Sequence, residues 1–252
     1  MINSDTYSFF NERLSRWLLL FCLVAVGIGQ SFIFTSLPPI GREIGLADVR
    51  ISTLITAGAA TFVVAAFLWG GIINRIGRVR SVIIGMSCYA LTIALTGFVL
   101  QEALAKNLSA EQTYYWVFVL RIVFSLGIAG VLPSIQTYLI AHTDIKHRSS
   151  TIAMIGASFS IGMILGPAFA SLLSSLGLTA PFYIIAFLAG CAALFVVLFV
   201  KDKKHVRQFE RPPAINWFKE PVMPFLGMST LAILSVTGIQ QIMGFLIQDR
   251  FQ

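Results

Sequence analysis

Long runs of apolar residues constrain this chain more than any other feature of its sequence. Seven stretches reach the length of about 20 predominantly apolar residues that a membrane-spanning helix needs. They are approximately Trp17–Leu37, Ile51–Ile73, Ser81–Leu100, Tyr114–Ile140, Thr151–Leu173, Pro181–Val200 and Pro221–Ile247. Charged residues make up only 12% of the 252 positions, whereas soluble domains carry about a quarter. The sequence therefore predicts an all-α, polytopic membrane helix bundle.

The distribution of Lys and Arg between the short loops predicts the orientation of the chain. With a cytoplasmic N-terminus, thirteen basic residues lie in inner segments and four in outer segments. This asymmetry is typical of membrane proteins, whose cytoplasmic loops carry an excess of Lys and Arg. We therefore expect a multi-pass protein of the plasma (cytoplasmic) membrane with its N-terminus inside.

One polar segment divides the chain. Residues 201–220 contain two adjacent prolines and a dense run of charge, which predicts a cytoplasmic linker. Residues 1–200 would form an N-terminal six-helix transmembrane bundle. Residues 221–252 would be the first span of a truncated C-terminal bundle, because a lone helix after a six-helix unit resembles the opening of a second one. We expect the chain to be a fragment of a protein with two such bundles.

The loop after the second apolar stretch carries a recognisable pattern. Residues 70–80 read Gly-Gly-Ile-Ile-Asn-Arg-Ile-Gly-Arg-Val-Arg, which resembles the loop signature G-x-x-x-D-R-x-G-R-[KR] of the major facilitator superfamily. Gly77 would permit a tight reversal between antiparallel helices, and Gly70 would permit a neighbouring helix to approach closely. Arg75 and Arg78 would anchor the cytoplasmic face. The resemblance implies a gating loop.

The loop departs from the signature at its acidic position, which is Asn74 here. The resemblance implies that the family's Asp lies against a helix N-terminus of the other half, where a negative charge is favoured. An amide can still accept that hydrogen bond but brings no charge. Asp144, at the end of the fourth stretch, is then the expected acidic partner of Arg78 or Arg75, in a pair that would hold in the outward-facing state.

Two further motifs follow in order. Arg121–Gly127 resembles the family's R-x-x-Q-G-x-G, with Phe and Ser replacing the Gln and the first Gly. Residues 162–167 resemble the g-x-x-x-G-P motif of the antiporter branch. Gly162 and Gly166 share one helix face and would permit tight helix contact, while Pro167 can kink the helix; an ordinary packing seam is the alternative. The resemblance implies a secondary transporter whose six-helix half is a 3+3 inverted repeat.

Arg121 is the only charged residue within an apolar stretch, because all eleven acidic residues lie at termini or in loops. An Arg in the middle of the bilayer costs at least about 2.5–3.5 kcal/mol, so such residues normally face a cavity. Snorkelling to the outer interface is the alternative. Ser125 and Gln136 fall on the same helix face as Arg121. We expect Gln30 and Gln240 to line the same substrate cavity, although each Gln could instead make an interhelical hydrogen bond.

A positive cavity without acids suits an anionic or zwitterionic solute, such as a carboxylate-rich siderophore, better than a cationic drug. We expect alternating-access export of an organic anion, siderophore or drug coupled to protons. Arg effectively does not titrate, so a proton antiporter would need its titrating acid in the missing half. The expected partners are a small-molecule solute, the lipid bilayer and protons as the coupling ion.

Other functions find less support in the sequence. The three cysteines are far apart and show no ligand spacing, so no metal or cofactor is expected. The net charge of +7 is spread over loops and fits lipid headgroups better than nucleic acid. His142, His147 and His205 lie at or beyond the inner surface, so no nucleophile–base pair of an enzyme can be drawn at depth. A half-size transporter working as a homodimer and a membrane receptor or scaffold remain alternatives.

Overall fold

Helices are the only regular elements in the described part of this computed structural model. It describes residues 4–200 and five isolated positions between 224 and 235, with side chains from Arg13 onward. The elements are α1 (Ser4–Glu43), α2 (Asp48–Ile76), α3 (Arg78–Leu104), α4 (Ala110–Ile128), α5 (Val131–Ala141), a 3₁₀ turn (Ile145–His147), α6 (Arg148–Ser174) and α7 (Ala180–Phe199). The predicted all-α fold is confirmed.

Six segments of the described chain are long and apolar enough to cross a membrane, with α4 and α5 forming one of them together. They correspond to the first six predicted spans. The chain divides into two units, Met1–Asp202 and Lys203–Gln252. The predicted linker (201–220) and seventh span (221–247) fall outside the described residues, apart from the isolated positions, and so does Gln240.

The helices extend well beyond the apolar stretches that predicted them. The first stretch was predicted from Trp17 to Leu37, whereas α1 has 40 residues and includes Pro38 and Pro39 near its end. Hydropathy detects only the apolar centre of a span. The backbone can stay helical beyond the apolar centre because each residue added to an existing helix gains a hydrogen bond without a new nucleation step.

The fourth span is interrupted, which differs from the continuous helix predicted over Tyr114–Ile140. α4 ends at Ile128, and Ala129 and Gly130 form a turn before α5 begins at Val131. Pro133 supplies the cause, because a proline lacks the N–H that would bond to the carbonyl of Ala129 and its ring crowds that carbonyl. In α5 the proline occupies the first turn, where it is tolerated.

One end of the bundle, termed the amino-terminal end because α1 begins there, is held by hydrogen bonds between distant segments. Arg16 Nη2 donates to Thr151 Oγ1 over 2.6 Å and to Thr143 Oγ1 over 3.5 Å. Ser15 Oγ donates to the Phe199 carbonyl over 3.5 Å. The beginnings of α1 and α6 and the ends of α5 and α7 therefore meet at this end.

Contacts at the opposite end join α7 with α3 and α2 with α4. Tyr183 Oη, at the start of α7, donates to Gln101 Oε1 near the end of α3 over 2.8 Å. The guanidinium carbon of Arg50, at the start of α2, lies 5.4 Å from the ring centroid of Tyr114 in α4. These contacts fit helices that alternate in direction along the chain.

α1 and α6 pack closely against each other. A Cβ built at Gly162 would meet the Val24 carbonyl oxygen and lie 2.9 Å from the Cα of Gly27. A Cβ at Gly166 would meet Ser31 Oγ. These positions bring the two backbones into contact, as small residues do at helix interfaces within membranes.

Candidate functional site

The start of α4 is set by a capping box, which fixes where Arg121 lies along the helix. Ser109 Oγ accepts a hydrogen bond from the Gln112 backbone N–H over 3.2 Å, and the Gln112 side-chain oxygen accepts one from the Ser109 N–H over 3.0 Å. This reciprocal pair satisfies two free N–H groups of the first turn. Arg121 follows Ala110 by eleven residues, about 16 Å along the helix axis. It therefore lies deep within the span.

The Arg121 side chain is enclosed and lacks hydrogen-bond partners. The residue is 4% exposed, and its Nε and Nη1 atoms are buried with no partner in the described structure. Its guanidinium carbon lies 5.3 Å from the ring centroid of Phe124, within the range of a cation–π interaction. Buried polar atoms of proteins are nearly always paired. These two unpaired nitrogens therefore make Arg121 a candidate binding residue.

Gly58 of α2 makes room for the guanidinium. A Cβ built at Gly58 would lie 3.0 Å from Nη2, 3.1 Å from Nε and 3.2 Å from Cζ of Arg121. Sequence reasoning missed this partner. The available signal was the small-residue run Ala57–Ala60 within an otherwise bulky span, which indicates a close approach without naming the neighbour.

The other residues predicted to line the cavity are not brought into one open passage. Ser125 is buried, at 2% exposure, one turn beyond Arg121. Gln30 and Gln136 are half-buried, and neither amide bonds to another described residue. Arg121 itself is packed between α2 and α4 and neither faces open space nor snorkels to the surface. Gly58 lets α2 close over the Arg121 side chain in this structure.

A second contact joins α2 to the interrupted span close to Arg121. The Trp69 indole Nε1 donates to the Leu126 carbonyl oxygen over 2.6 Å. The Trp69 ring also fills the space that a side chain at Gly130 would need. Leu126 lies one turn before the interruption, so the indole secures a carbonyl where the helix is weakened. This contact was not predicted either.

The loop predicted as a gate is a tight reversal between α2 and α3. Gly77 adopts φ +97° and ψ 159°, a combination that is essentially restricted to glycine. Its N–H donates to the Ile73 carbonyl over 3.0 Å, and its carbonyl accepts from Ser81 Oγ over 2.7 Å. The glycine therefore ends one helix and begins the next within a single residue.

The polar residues of the loop make fewer contacts than expected. Asn74 Nδ2 donates to the Gly70 carbonyl of its own helix over 3.1 Å. Nothing in the described bundle lies within 4 Å of a Cβ built at Gly70, so no helix there makes the close approach predicted for it. Arg75 is exposed and Arg78 is half-buried.

The predicted pair of Asp144 with Arg78 or Arg75, expected for the outward-facing state, is not formed in this structure. Asp144 is exposed, and the ion pair found among the described residues joins Arg42 to Asp48, 2.8 Å apart at the opposite end. The Asp144 backbone begins the 3₁₀ turn, and its side chain extends into the surroundings. A wet, exposed pair gains too little to overcome the side-chain entropy it costs.

Pro167, the last residue of the predicted packing motif, lies beside a cavity. The cavity has a volume of about 270 Å³ between α1, α6 and α7. Its lining includes Thr35, Ser36 and Ser171. Among the described residues no group of three or more His, Cys, Asp or Glu is placed to hold a metal ion.

A sequence profile of the Major Facilitator Superfamily matches residues 19–251. The chain belongs to the major facilitator superfamily. This major facilitator chain is a multi-pass membrane protein of a transporter family, and the expectation that it is not an enzyme is confirmed. The three motifs at the α2–α3 loop, in α4 and in α6 thus pointed to the right family.

Relatives of this major facilitator chain include resistance proteins. Multidrug resistance protein 2 of Bacillus subtilis (strain 168) is 23% identical over 199 residues, covering 79% of this chain and 47% of that protein. The class E tetracycline resistance protein of Escherichia coli is 33% identical over 199 residues, covering 77% and 45%. A probable 4-methylmuconolactone transporter of Cupriavidus pinatubonensis is 24% identical over 185 residues, covering 72% and 40%. The chain spans about half the length of the curated relatives it matches.

Proposed function

We propose that this protein exports small organic solutes across the plasma membrane by alternating access, and that Arg121 binds an acidic group of the solute. The family membership supports a transport role. The names of the relatives, which include multidrug and tetracycline resistance proteins, support drug-like solutes and the outward direction. Organic anions and siderophores are the further classes that the proposal covers.

The observation that carries the proposal is the unpaired guanidinium of Arg121. Two of its nitrogens are buried without an acceptor, and a buried donor without a partner costs about 1–3 kcal/mol. A carboxylate or phenolate would form short, charge-assisted hydrogen bonds with such donors. A solute with an acidic group would therefore gain more from this site than a neutral or cationic one.

The surrounding charges favour the same class of solute. The acidic residues with described side chains lie at helix ends or in loops, as Glu43, Asp48, Glu102, Glu111 and Asp144 do. No carboxylate of the described spans is thus available at depth to hold a cation. An anionic or zwitterionic solute is the better match for a bundle whose only charge at depth is positive.

The enclosure of Arg121 bears on how a solute would reach it. With α2 closed over the guanidinium, the side chain binds a solute only after it swings away from Gly58 or after α2 and α4 separate. Transport proteins that alternate between two conformations expose a site in one state and cover it in the other. We assign the present arrangement to a covered state of the solute site.

The proposal also includes the side of the membrane on which the N-terminus lies and the ion that drives transport. The excess of basic residues in one set of loops supports a cytoplasmic N-terminus. We propose protons as the coupling ion, with the titrating acid outside the described spans, since Arg121 keeps its charge at any physiological pH.

The test is an export assay with the full-length protein in bacterial cells that lack their own exporters. Cells are loaded with fluorescein as an anion, tetracycline as a zwitterion or ethidium as a cation. We expect export of fluorescein and tetracycline, and a loss of at least about tenfold in Arg121→Ala, the equivalent of one lost charged hydrogen bond. Arg148→Ala, at an exposed position of the same charge outside the motifs, serves as the matched control and should retain export.

Two outcomes would count against the proposal. Export of fluorescein by Arg121→Ala at the rate of the unmodified protein, with equal amounts of protein in the membrane, would remove Arg121 from the solute site. Export that persists after a protonophore collapses both the pH gradient and the membrane potential would remove protons as the coupling ion and leave the solute proposal standing.

A further inference from the structure

We infer that Gly58 is a positioning residue that sets where the Arg121 guanidinium lies and thereby the preference of the site for anionic solutes. This inference rests on the proposed role of Arg121 in binding the solute. The contact between them spans two helices, α2 and α4, and joins residues 63 positions apart in the chain. No motif of the sequence includes Gly58.

The contact is specific to the charged head of the side chain. The three heavy atoms nearest to a Cβ at Gly58 are Nη2, Nε and Cζ of Arg121, at 3.0, 3.1 and 3.2 Å. Each distance is shorter than an ordinary van der Waals contact of about 3.5–4.0 Å. A methyl group at position 58 would therefore push the guanidinium, to which all three nearest atoms belong, from its place.

The other closely packed glycines of the bundle differ in what they face. A Cβ at Gly27 or Gly162 would meet backbone atoms of the partner helix, so substitution there must separate the helices. At Gly58 the obstructed group is the far end of a flexible side chain, which can turn away at low cost. Substitution of Gly58 should hence preserve the fold while displacing the cation.

Displacement would also change what the cation touches. The guanidinium is confined on one side by Gly58 and lies 5.3 Å from the ring centroid of Phe124. Moving it away from α2 would alter its distance from the ring and the direction of its unpaired nitrogens. Binding of an acidic group depends on that direction, because guanidinium donors have a fixed planar geometry.

Four proteins test the inference: the unmodified protein, Gly58→Ala, Arg121→Lys and the double variant. Export of fluorescein is measured for KM and maximal rate, with the melting temperature of each protein in detergent. Gly156→Ala is the matched control, because a Cβ at Gly156 of α6 would meet nothing within 4 Å. The control should match the unmodified protein in all three quantities.

We expect Gly58→Ala to raise the KM for fluorescein at least about fivefold with little change in maximal rate, in the range expected for a weakened charged hydrogen bond. In the Arg121→Lys background the same substitution should change KM less than twofold, because the compact ammonium leaves room for a methyl group. Such non-additivity indicates that the two residues act through one contact. A purely structural role for Gly58 would instead lower the maximal rate or the melting temperature in both backgrounds.

The outcomes separate this inference from the proposed function. An unchanged KM in Gly58→Ala, or equal effects of Gly58→Ala in both backgrounds, overturns the inference while Arg121 keeps its role. Full export by Arg121→Ala overturns the proposed function itself. If Gly58→Ala yields less folded protein, recovery in the double variant supports the contact, and continued loss overturns it.

Discussion

Gly162 of α6 and Gly27 of α1 touch through their backbones, since a Cβ built at Gly162 would lie 2.9 Å from the Cα of Gly27. No side chain separates the two helices at this point. The g-x-x-x-G-P resemblance singled out Gly162 from the sequence, whereas Gly27 was not part of any motif. A glycine pair of this kind brings the backbones of the first and fifth spans of the bundle into direct contact.

The first prediction concerns this glycine pair. Gly162→Ala should destabilise the bundle by about 1–3 kcal/mol, because the added methyl group overpacks a backbone contact that cannot yield without moving a helix. Thermal unfolding in detergent, followed by size-exclusion chromatography, measures the loss. Gly156→Ala in the same helix faces open space and should be neutral or slightly stabilising, since Ala favours helix over Gly. Equal melting temperatures for the two variants would contradict the packing described.

The second prediction concerns the reversal at Gly77. Its φ of +97° and ψ of 159° fall in a region that side-chain-bearing residues avoid, at a cost of about 1–3 kcal/mol. Gly77→Ala should lower the melting temperature and loosen the α2–α3 turn, measured as faster proteolysis at Arg78 or Arg80. Gly71→Ala, a helical position with nothing within 4 Å of its Cβ, is the control. A turn as resistant in Gly77→Ala as in the control would show that the backbone there is not restricted to glycine.

The third prediction concerns the indole hydrogen bond to the interrupted span. Trp69→Phe keeps an aromatic ring but removes the donor to the partly buried Leu126 carbonyl, at a cost of about 0.5–1.5 kcal/mol for the lost hydrogen bond. The melting temperature should fall accordingly. Trp116→Phe provides the comparison, because Trp116 is 57% exposed and should tolerate the change. A similar melting temperature for both variants would mean that the bond contributes nothing to stability.

Most of the fold could be predicted because a bilayer leaves few choices to the backbone. An apolar stretch of about 20 residues in lipid must be helical, since every backbone group has to find its partner within the segment. Composition thus predicted the six described spans. Their ends were less certain, because the polar turns of α1 beyond Leu37 carry no hydropathy signal and still remain helical.

The sequence contained a signal for the interruption of the fourth span, but the apolar character of the stretch favoured a continuous helix. Pro133 lies within a stretch whose apolar character favoured a continuous helix. Proline is tolerated in membrane helices when neighbours satisfy the freed backbone groups, so its presence alone could not predict a break. The neighbour that supports the interrupted region, Trp69, lies more than 50 residues earlier in the chain.

The sequence predicted which charged residue marks the candidate site, but not which residues contact it. Arg121 stood out because a charge within a span is costly, and the sequence alone was enough to select it. Its enclosure by Gly58 depends on how α2 crosses α4, which no local pattern encodes. The expected pair between Asp144 and Arg78 or Arg75, which is absent from this structure, stays a prediction for the outward-facing state, because charges on neighbouring loops need not be in contact when both are solvated.

The last prediction concerns the orientation of the chain in the membrane. The distribution of Lys and Arg between the loops predicts it, whereas the packing of the helices is the same in either orientation. Ala105, between α3 and α4, and Lys146, between α5 and α6, are both exposed and lie in successive loops of alternating side. With the N-terminus in the cytoplasm, a membrane-impermeant maleimide should label Ala105→Cys in intact cells and Lys146→Cys only after permeabilisation. Background labelling should be low, because Cys22 is buried and Cys88 and Cys191 are partly buried within spans. The reverse pattern would place the basic loops outside and contradict the thirteen-to-four distribution of Lys and Arg on which the orientation rests.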